Sequence, residues 1–125
     1  MDTSIFGNTP LHRCRYLSEK YQCPVYLKKE YFNPNRTSKD RAAWYMVKDA
    51  IAKKRIKPGD TIVEASSGNT GIGIAYLAKQ LGYRSCIFVT QSCSREKLSL
   101  LQTLGAKVVR CANSNGPLDK NSTQY

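Results

Sequence analysis

Thr61-Ile62-Val63-Glu64-Ala65-Ser66-Ser67-Gly68-Asn69-Thr70-Gly71-Ile72-Gly73-Ile74-Ala75 reads as a short strand, a small polar loop and the start of a helix. The strand Thr61–Glu64 is rich in β-branched residues, and Pro58-Gly59-Asp60 turns the chain into it. From Thr70 to Leu81 the apolar residues fall on most sides, which predicts a buried helix, and Gly82 is placed to end it. Downstream, Ser85-Cys86-Ile87-Phe88-Val89 reads as a strand. Ser94 can cap a helix through Leu104, Gly105 stops it, and Ala106 to Cys111 forms a further strand. Upstream, Ala43, Met46, Val47, Ala50 and Ile51 make the stripe of an amphipathic helix from Lys39 to about Arg55, with Ser38 as N-cap and Asp40 in the first turn. Phe32-Asn33-Pro34-Asn35-Arg36-Thr37 is a loop, Pro24–Tyr31 a strand, and residues 11–14 another. Alternating strands and helices of this kind predict an α/β fold: a parallel sheet of right-handed βαβ units of three-layer type. Ligands of such sheets bind beyond the C-terminal strand ends, which singles out the loop before Lys39 and the loop Ser66–Thr70.

The totals narrow the classes. The 125 residues suit one domain, with 1–112 as its body and 113–125 as a polar, mobile tail. No run reaches the ~18 apolar residues of a membrane span, and the start does not resemble a signal peptide, so a soluble cytoplasmic protein without membrane partners is expected. Five cysteines without a C-x-x-C pair, and a lone His12, suggest reduced structural thiols and no metal site. The net charge of +11 raises a nucleic-acid role. However, the densest cationic stretch, Lys53-Lys54-Arg55-Ile56-Lys57, lies where a helix ends and complements its dipole. No zinc-finger or RNP pattern occurs, so nucleic acid is the disfavoured reading.

Ser66-Ser67-Gly68-Asn69-Thr70-Gly71 carries a strand into a helix N-terminus. There, unpaired backbone N–H groups and the dipole favour an anion, and hydroxyls and an amide can add bonds to a carboxylate or phosphate. The glycine order is not that of a dinucleotide loop, and no G-K-[ST] follows. A plain turn, with glycines for close packing, is the equal alternative on this argument alone. Lys39 opens its helix, where the positive dipole end disfavours an ammonium. An amine that gives up its proton is what a Schiff base requires. Taken alone, a lysine is usually a solvated surface residue.

Glu30-Tyr31-Phe32-Asn33-Pro34 and Ser38-Lys39-Asp40-Arg41 together resemble the lysine segment of cysteine synthases and cystathionine β-synthases. These are fold-type II enzymes dependent on pyridoxal 5'-phosphate. The likeness continues through Lys57–Glu64 and Ser67–Gly73, and it includes Gly7-Asn8-Thr9-Pro10-Leu11 and Leu104-Gly105-Ala106, in order over residues 5–112.

The resemblance implies that Lys39 carries the cofactor as a Schiff base and removes the α-proton of serine or an activated serine, after which a thiol or sulfide adds. It also implies that Ser66, Ser67, Gly68, Asn69 and Thr70 bind the substrate carboxylate, and that Asn69 meets the cofactor ring. Dehydratases of the same fold are a near variant. Two departures stand out. Asn35 and Arg36 replace the family's usual glycines, at a place where a β-carbon can be unwelcome. Family chains also run to roughly two or three times this length in ordinary two-domain sizing. The expected fold is therefore incomplete, lacking the C-terminal half with its phosphate cradle and with the sheet partners of the first strands. Homodimers or heterodimers with a family member are conceivable on this basis. The alternative function is a non-catalytic fragment or pseudoenzyme-like regulator that binds a full-length homologue.

Overall fold

The computed structural model describes residues 5–112. The expected polar tail from residue 113 lies outside them.

Strand β1 (Leu11–Arg13), helix α1 (Arg15–Lys20) and strand β2 (Tyr26–Lys28) form the first unit. The two strands pair antiparallel with each other, Leu11 opposite Lys28 and Arg13 opposite Tyr26. They pair with no other strand among the described residues, so the outer edge of each is left unpaired there, as expected, and every residue of both is exposed. Helix α1 was not legible in the sequence. Buried Ser18 stabilises it, its hydroxyl donating to the Cys14 carbonyl at 2.7 Å and accepting from the Val25 N–H at 3.0 Å.

The strand expected over Pro24–Tyr31 stops at Lys28, and Glu30–Phe32 is a 3-10 turn. The cause is a local side-chain turn. Asn33 Nδ2 donates to the Glu30 carbonyl at 2.9 Å and to Glu30 Oε2 at 2.8 Å, which closes the chain into a turn.

Helix α2 (Lys39–Ala52) begins where expected but not as expected. Ser38 has helical dihedrals and makes no capping bond, whereas Thr37 Oγ1 accepts from the Lys39 N–H at 3.3 Å. Asp40 lies in the first turn, as expected, where it is fully buried and accepts from Asn35 N at 2.7 Å and Asn35 Nδ2 at 2.9 Å. The helix ends three residues before Arg55, because Lys54 adopts a left-handed φ of 54° and the Arg55 N–H reaches back to the Ala50 carbonyl. Ala43 and Val47 of the predicted stripe are buried, while Met46 and Ile51 stay exposed.

The rest follows the sequence closely. Strand β3 (Thr61–Ala65), helix α3 (Asn69–Leu81), strand β4 (Arg84–Thr90), helix α4 (Arg95–Thr103) and strand β5 (Lys107–Cys111) form two βαβ units with a parallel sheet in the order β3-β4-β5. Gly82 and Gly105 close their helices at φ 77° and 80°, and Ser94 Oγ accepts from the Lys97 N–H. The core lies between one sheet face and the helices, where Leu77, Ile87, Val89 and Leu101 are fully buried. Alternation along β4 gives the covered face Ser85, Ile87 and Val89, and leaves Cys86, Phe88 and Thr90 on the other. Helix α2 packs on α3. Phe6 seals that seam by stacking on Trp44 at 5.1 Å and meeting Tyr76 edge-on at 6.3 Å.

Candidate functional site

Lys39 is exposed at the first position of α2, and among the described residues no ion pair engages its amine. Its neighbours are held firmly. Asp40 grips Asn35 as described above, and Arg41 reaches over the Glu30 turn, donating from Nε to Oε2 at 3.0 Å and from Nη2 to Oε1 at 2.9 Å. The same Nη2 donates to Thr9 Oγ1 at 2.7 Å, and Thr9 Oγ1 donates to Glu30 Oε1 at 3.0 Å. Asn33, 2% exposed, adds the bonds of the turn and accepts from the Gly7 N–H at 2.9 Å. Arg41 and these hydrogen bonds hold the Glu30 carboxyl well below the ordinary range, at about 2. The ion pair in turn pushes the Arg41 guanidinium upward.

The second loop leaves the end of β3. The Ser66 N–H still donates to the Phe88 carbonyl, extending the sheet by one bond, and Ser66 Oγ accepts from the Gly68 N–H at 3.2 Å. The Ser67 carbonyl accepts from the Cys93 thiol at 3.8 Å. Gly68 precedes α3 with an extended backbone, and α3 starts at Asn69, one residue earlier than expected. Gly71 lets the helix tuck under the loop, since a Cβ there would lie 2.8 Å from the Ser66 carbonyl oxygen and 2.9 Å from Ile87 Cγ2.

Asn69 joins the two loops. Its Nδ2 donates to Thr37 Oγ1 at 3.1 Å, across 32 residues of sequence. Lys39 and the Ser66–Thr70 loop therefore belong to one surface, with Ser66, Ser67, Gly68 and Thr70 half-buried and Asn69 exposed. Two hollows formed by described residues lie elsewhere. One of about 490 Å³ lies by Arg13, Glu19 and Cys23, and one of about 370 Å³ lies between Arg95, Leu98 and Arg110.

Thr9, Glu30, Asn33, Thr37 and Arg41 were not singled out from the sequence as support for the lysine. Glu30 is the sole acidic residue between Glu19 and Asp40, which was the available signal. No group of three or more metal-ligating side chains occurs among the described residues. All five cysteines are free thiols.

The family model of pyridoxal-phosphate dependent enzymes matches residues 3–124. The chain belongs to that family. Cysteine synthase 1 of Neurospora crassa is 45% identical over 106 residues, covering 85% of this chain and 28% of that protein. Cystathionine beta-synthase of Apis mellifera is 44% identical over 106 residues, 83% of this chain and 21% of that one. Cysteine synthase of Staphylococcus aureus is 42% identical over 107 residues, 86% and 34% respectively. The crystal structure of O-ureido-L-serine synthase superposes with a TM-score of 0.79 at 41% identity, covering 86% of this chain and 34% of that one. The chain thus spans a third or less of the length of these curated relatives, and the fold is incomplete relative to theirs.

The residues present fit the family's cofactor. Lys39 follows Thr37 by two residues, and Thr37 is bonded to Asn69 at the helix N-terminus whose N–H groups and neighbouring hydroxyls suit an anion. A Cβ at Gly68 would meet only Ser66 Oγ, at 3.7 Å, so the loop leaves room above itself. No helix among the described residues is long and apolar enough to cross a membrane.

Proposed function

We propose that the chain is the lysine-bearing part of a β-replacement enzyme that acts on serine or an activated serine with a thiol or sulfide. The Asn69–Thr37 hydrogen bond is the observation that carries this reading, because it ties the lysine loop to the anion loop. Lys39 Nζ would hold pyridoxal phosphate and, once the substrate's amine has displaced it, the freed amine would take the substrate's α-proton. The helix N-terminus at Asn69, with the hydroxyls of Ser66, Ser67 and Thr70, holds the substrate carboxylate, and Asn69 also faces the cofactor ring. When bound, the cofactor supplies an electron sink for the charge left by that proton. Asp40 and Arg41 keep the preceding turn in place, which fixes the backbone from which Lys39 projects. Substrate choice and whole-enzyme turnover belong to the same proposal.

The test is a visible spectrum of the purified chain with pyridoxal phosphate, followed by borohydride reduction and peptide mapping. A Schiff-base band and a reduced adduct at Lys39, both lost in Lys39→Ala, are expected. Adducts spread over many lysines, with no band, would overturn the assignment.

A second reading, a regulator that binds a full-length homologue without catalysis, is favoured by one observation: Arg36 sits at a left-handed φ of 60° in the lysine loop. Co-elution with a full-length cysteine synthase, together with an absent Lys39 adduct, would establish it over the first.

A further inference from the structure

A single oxygen touches the starts of both α2 and α3. Thr37 Oγ1 accepts from the Lys39 N–H at 3.3 Å and from Asn69 Nδ2 at 3.1 Å. A hydroxyl oxygen has two lone pairs, and both are engaged here. Asn is a favoured capping residue, yet Asn69 stands one residue inside α3, after Gly68, and no side chain caps that start. Its amide turns instead to Thr37, and among the described residues its Oδ1 and second Nδ2 hydrogen have no partner. Thr37 is itself held. Its carbonyl accepts from the Asp40 N–H at 3.3 Å, the Arg36 N–H donates to the Asn33 carbonyl at 2.8 Å, and the Asp40 carboxylate grips Asn35. A hydrogen bond open to water adds little to stability, whereas it can keep an amide in one rotamer out of several.

We propose that Thr37 is a positioning residue whose hydroxyl holds the Asn69 amide in one orientation, with Oδ1 and the second Nδ2 hydrogen left for a bound ligand. The inference rests on the reading of Asn69 as the residue that faces the cofactor ring, and it supplies the group that aims it. Thr37 itself touches neither cofactor nor substrate. A binding group serves best when a second residue, rigidly based, fixes its rotamer, and the clamp on Asn35 and Asp40 gives Thr37 that base. An N–H held at the ring oxygen favours the ionised form of that oxygen. Loss of the Thr37 hydroxyl would let the amide turn away, and the bound cofactor would shift toward its neutral, shorter-wavelength form. Every contact in this argument is between described residues, so whatever covers the surface does not enter it.

The first readout needs no cofactor. Magnetic resonance of the isotope-labelled whole chain should show one Asn69 side-chain hydrogen shifted downfield, its signals assigned by their loss in Asn69→Ser. Thr37→Val keeps the shape and removes the acceptor, and it should return that hydrogen to the position of a free amide. Thr37→Ser should restore the native position. With pyridoxal phosphate added, the ratio of longer- to shorter-wavelength Schiff-base absorbance should fall about two- to tenfold in Thr37→Val, the worth of one hydrogen bond, and recover in Thr37→Ser. A role confined to loop packing would change the yield of adduct and leave that ratio alone. A free-like Asn69 amide in the native chain would overturn the proposal without any variant. So would amide signals, or a band ratio, indifferent to Thr37→Val. Amide signals that answer to Thr37 in a chain that forms no Lys39 adduct would uphold the positioning of Asn69 and overturn the reading of Lys39 alone.

Discussion

Arg41 joins three segments that are remote in sequence: the N-terminal stretch through Thr9, the 3-10 turn through Glu30, and helix α2, on which it stands. Its partner Glu30 titrates at about 2 instead of the ordinary 4.5. A depressed carboxyl contributes stability that is complete above its unfolded value and is lost as pH falls through its folded one. The thermal midpoint of the native chain should therefore decline between pH 4.5 and about 2 with a component missing from Glu30→Gln, and parallel curves for the two proteins would contradict this. Arg36, two residues before the loop ends, has the left-handed backbone that glycine adopts freely. Arg36→Gly should raise stability by about 0.5–1 kcal/mol, the relief of β-carbon strain less the added chain entropy. A shift of the urea midpoint at unchanged slope would measure it. The positions of Lys39 at a helix start and of Ser66–Thr70 at a strand end were legible from local pattern, whereas the roles proposed for them came from the family resemblance. The Glu30–Arg41 pair was not legible, since nothing local says that a carboxylate and a guanidinium eleven residues apart will meet across a loop.

At the scale of elements, the seam between α2 and α3 fixes where Lys39 stands. A Cβ on Gly73 would come within 2.9 Å of Ala43 Cβ and 3.4 Å of Asp40 Oδ1. Gly73→Ala should separate the helices at a cost of about 1–3 kcal/mol, and the same variant should lose Lys39 adduct yield with pyridoxal phosphate. Chemical denaturation and peptide mapping on one preparation would report both effects, and an unaltered denaturation curve would refute the close seam. The parallel half of the chain was readable because β3, α3, β4, α4 and β5 each announce themselves by period, cap or stop, as Ser94, Gly82 and Gly105 show. The amino-terminal half was less so. The strand over Pro24–Tyr31 was overextended because side-chain bonds from Asn33 and Arg41 turn the backbone at Glu30, which β-propensity does not register. Met46 was placed in the core by its helical period, but α3 meets only the narrower strip around Ala43 and Val47.

For the molecule as a whole, stability is unevenly distributed. Strand β4 lies between two partners and under helix α3, whereas β1 and β2 have only each other and are exposed throughout. Hydrogen exchange should accordingly be slowest for amides of Ile87 to Val89 and fast across Leu11–Arg13 and Tyr26–Lys28. Comparable protection in the two regions would show that the amino-terminal unit has acquired cover in solution. The chain has one more property of this kind, and it concerns order in time. Phe6 lies near the beginning of the polypeptide, yet its ring rests on Trp44 and Tyr76. During synthesis it must wait, unsheltered, until both have left the ribosome and α2 and α3 have met. The amino terminus is thus made well before its shelter, and a chaperone that recognises aromatic residues in nascent chains would have that interval in which to engage it.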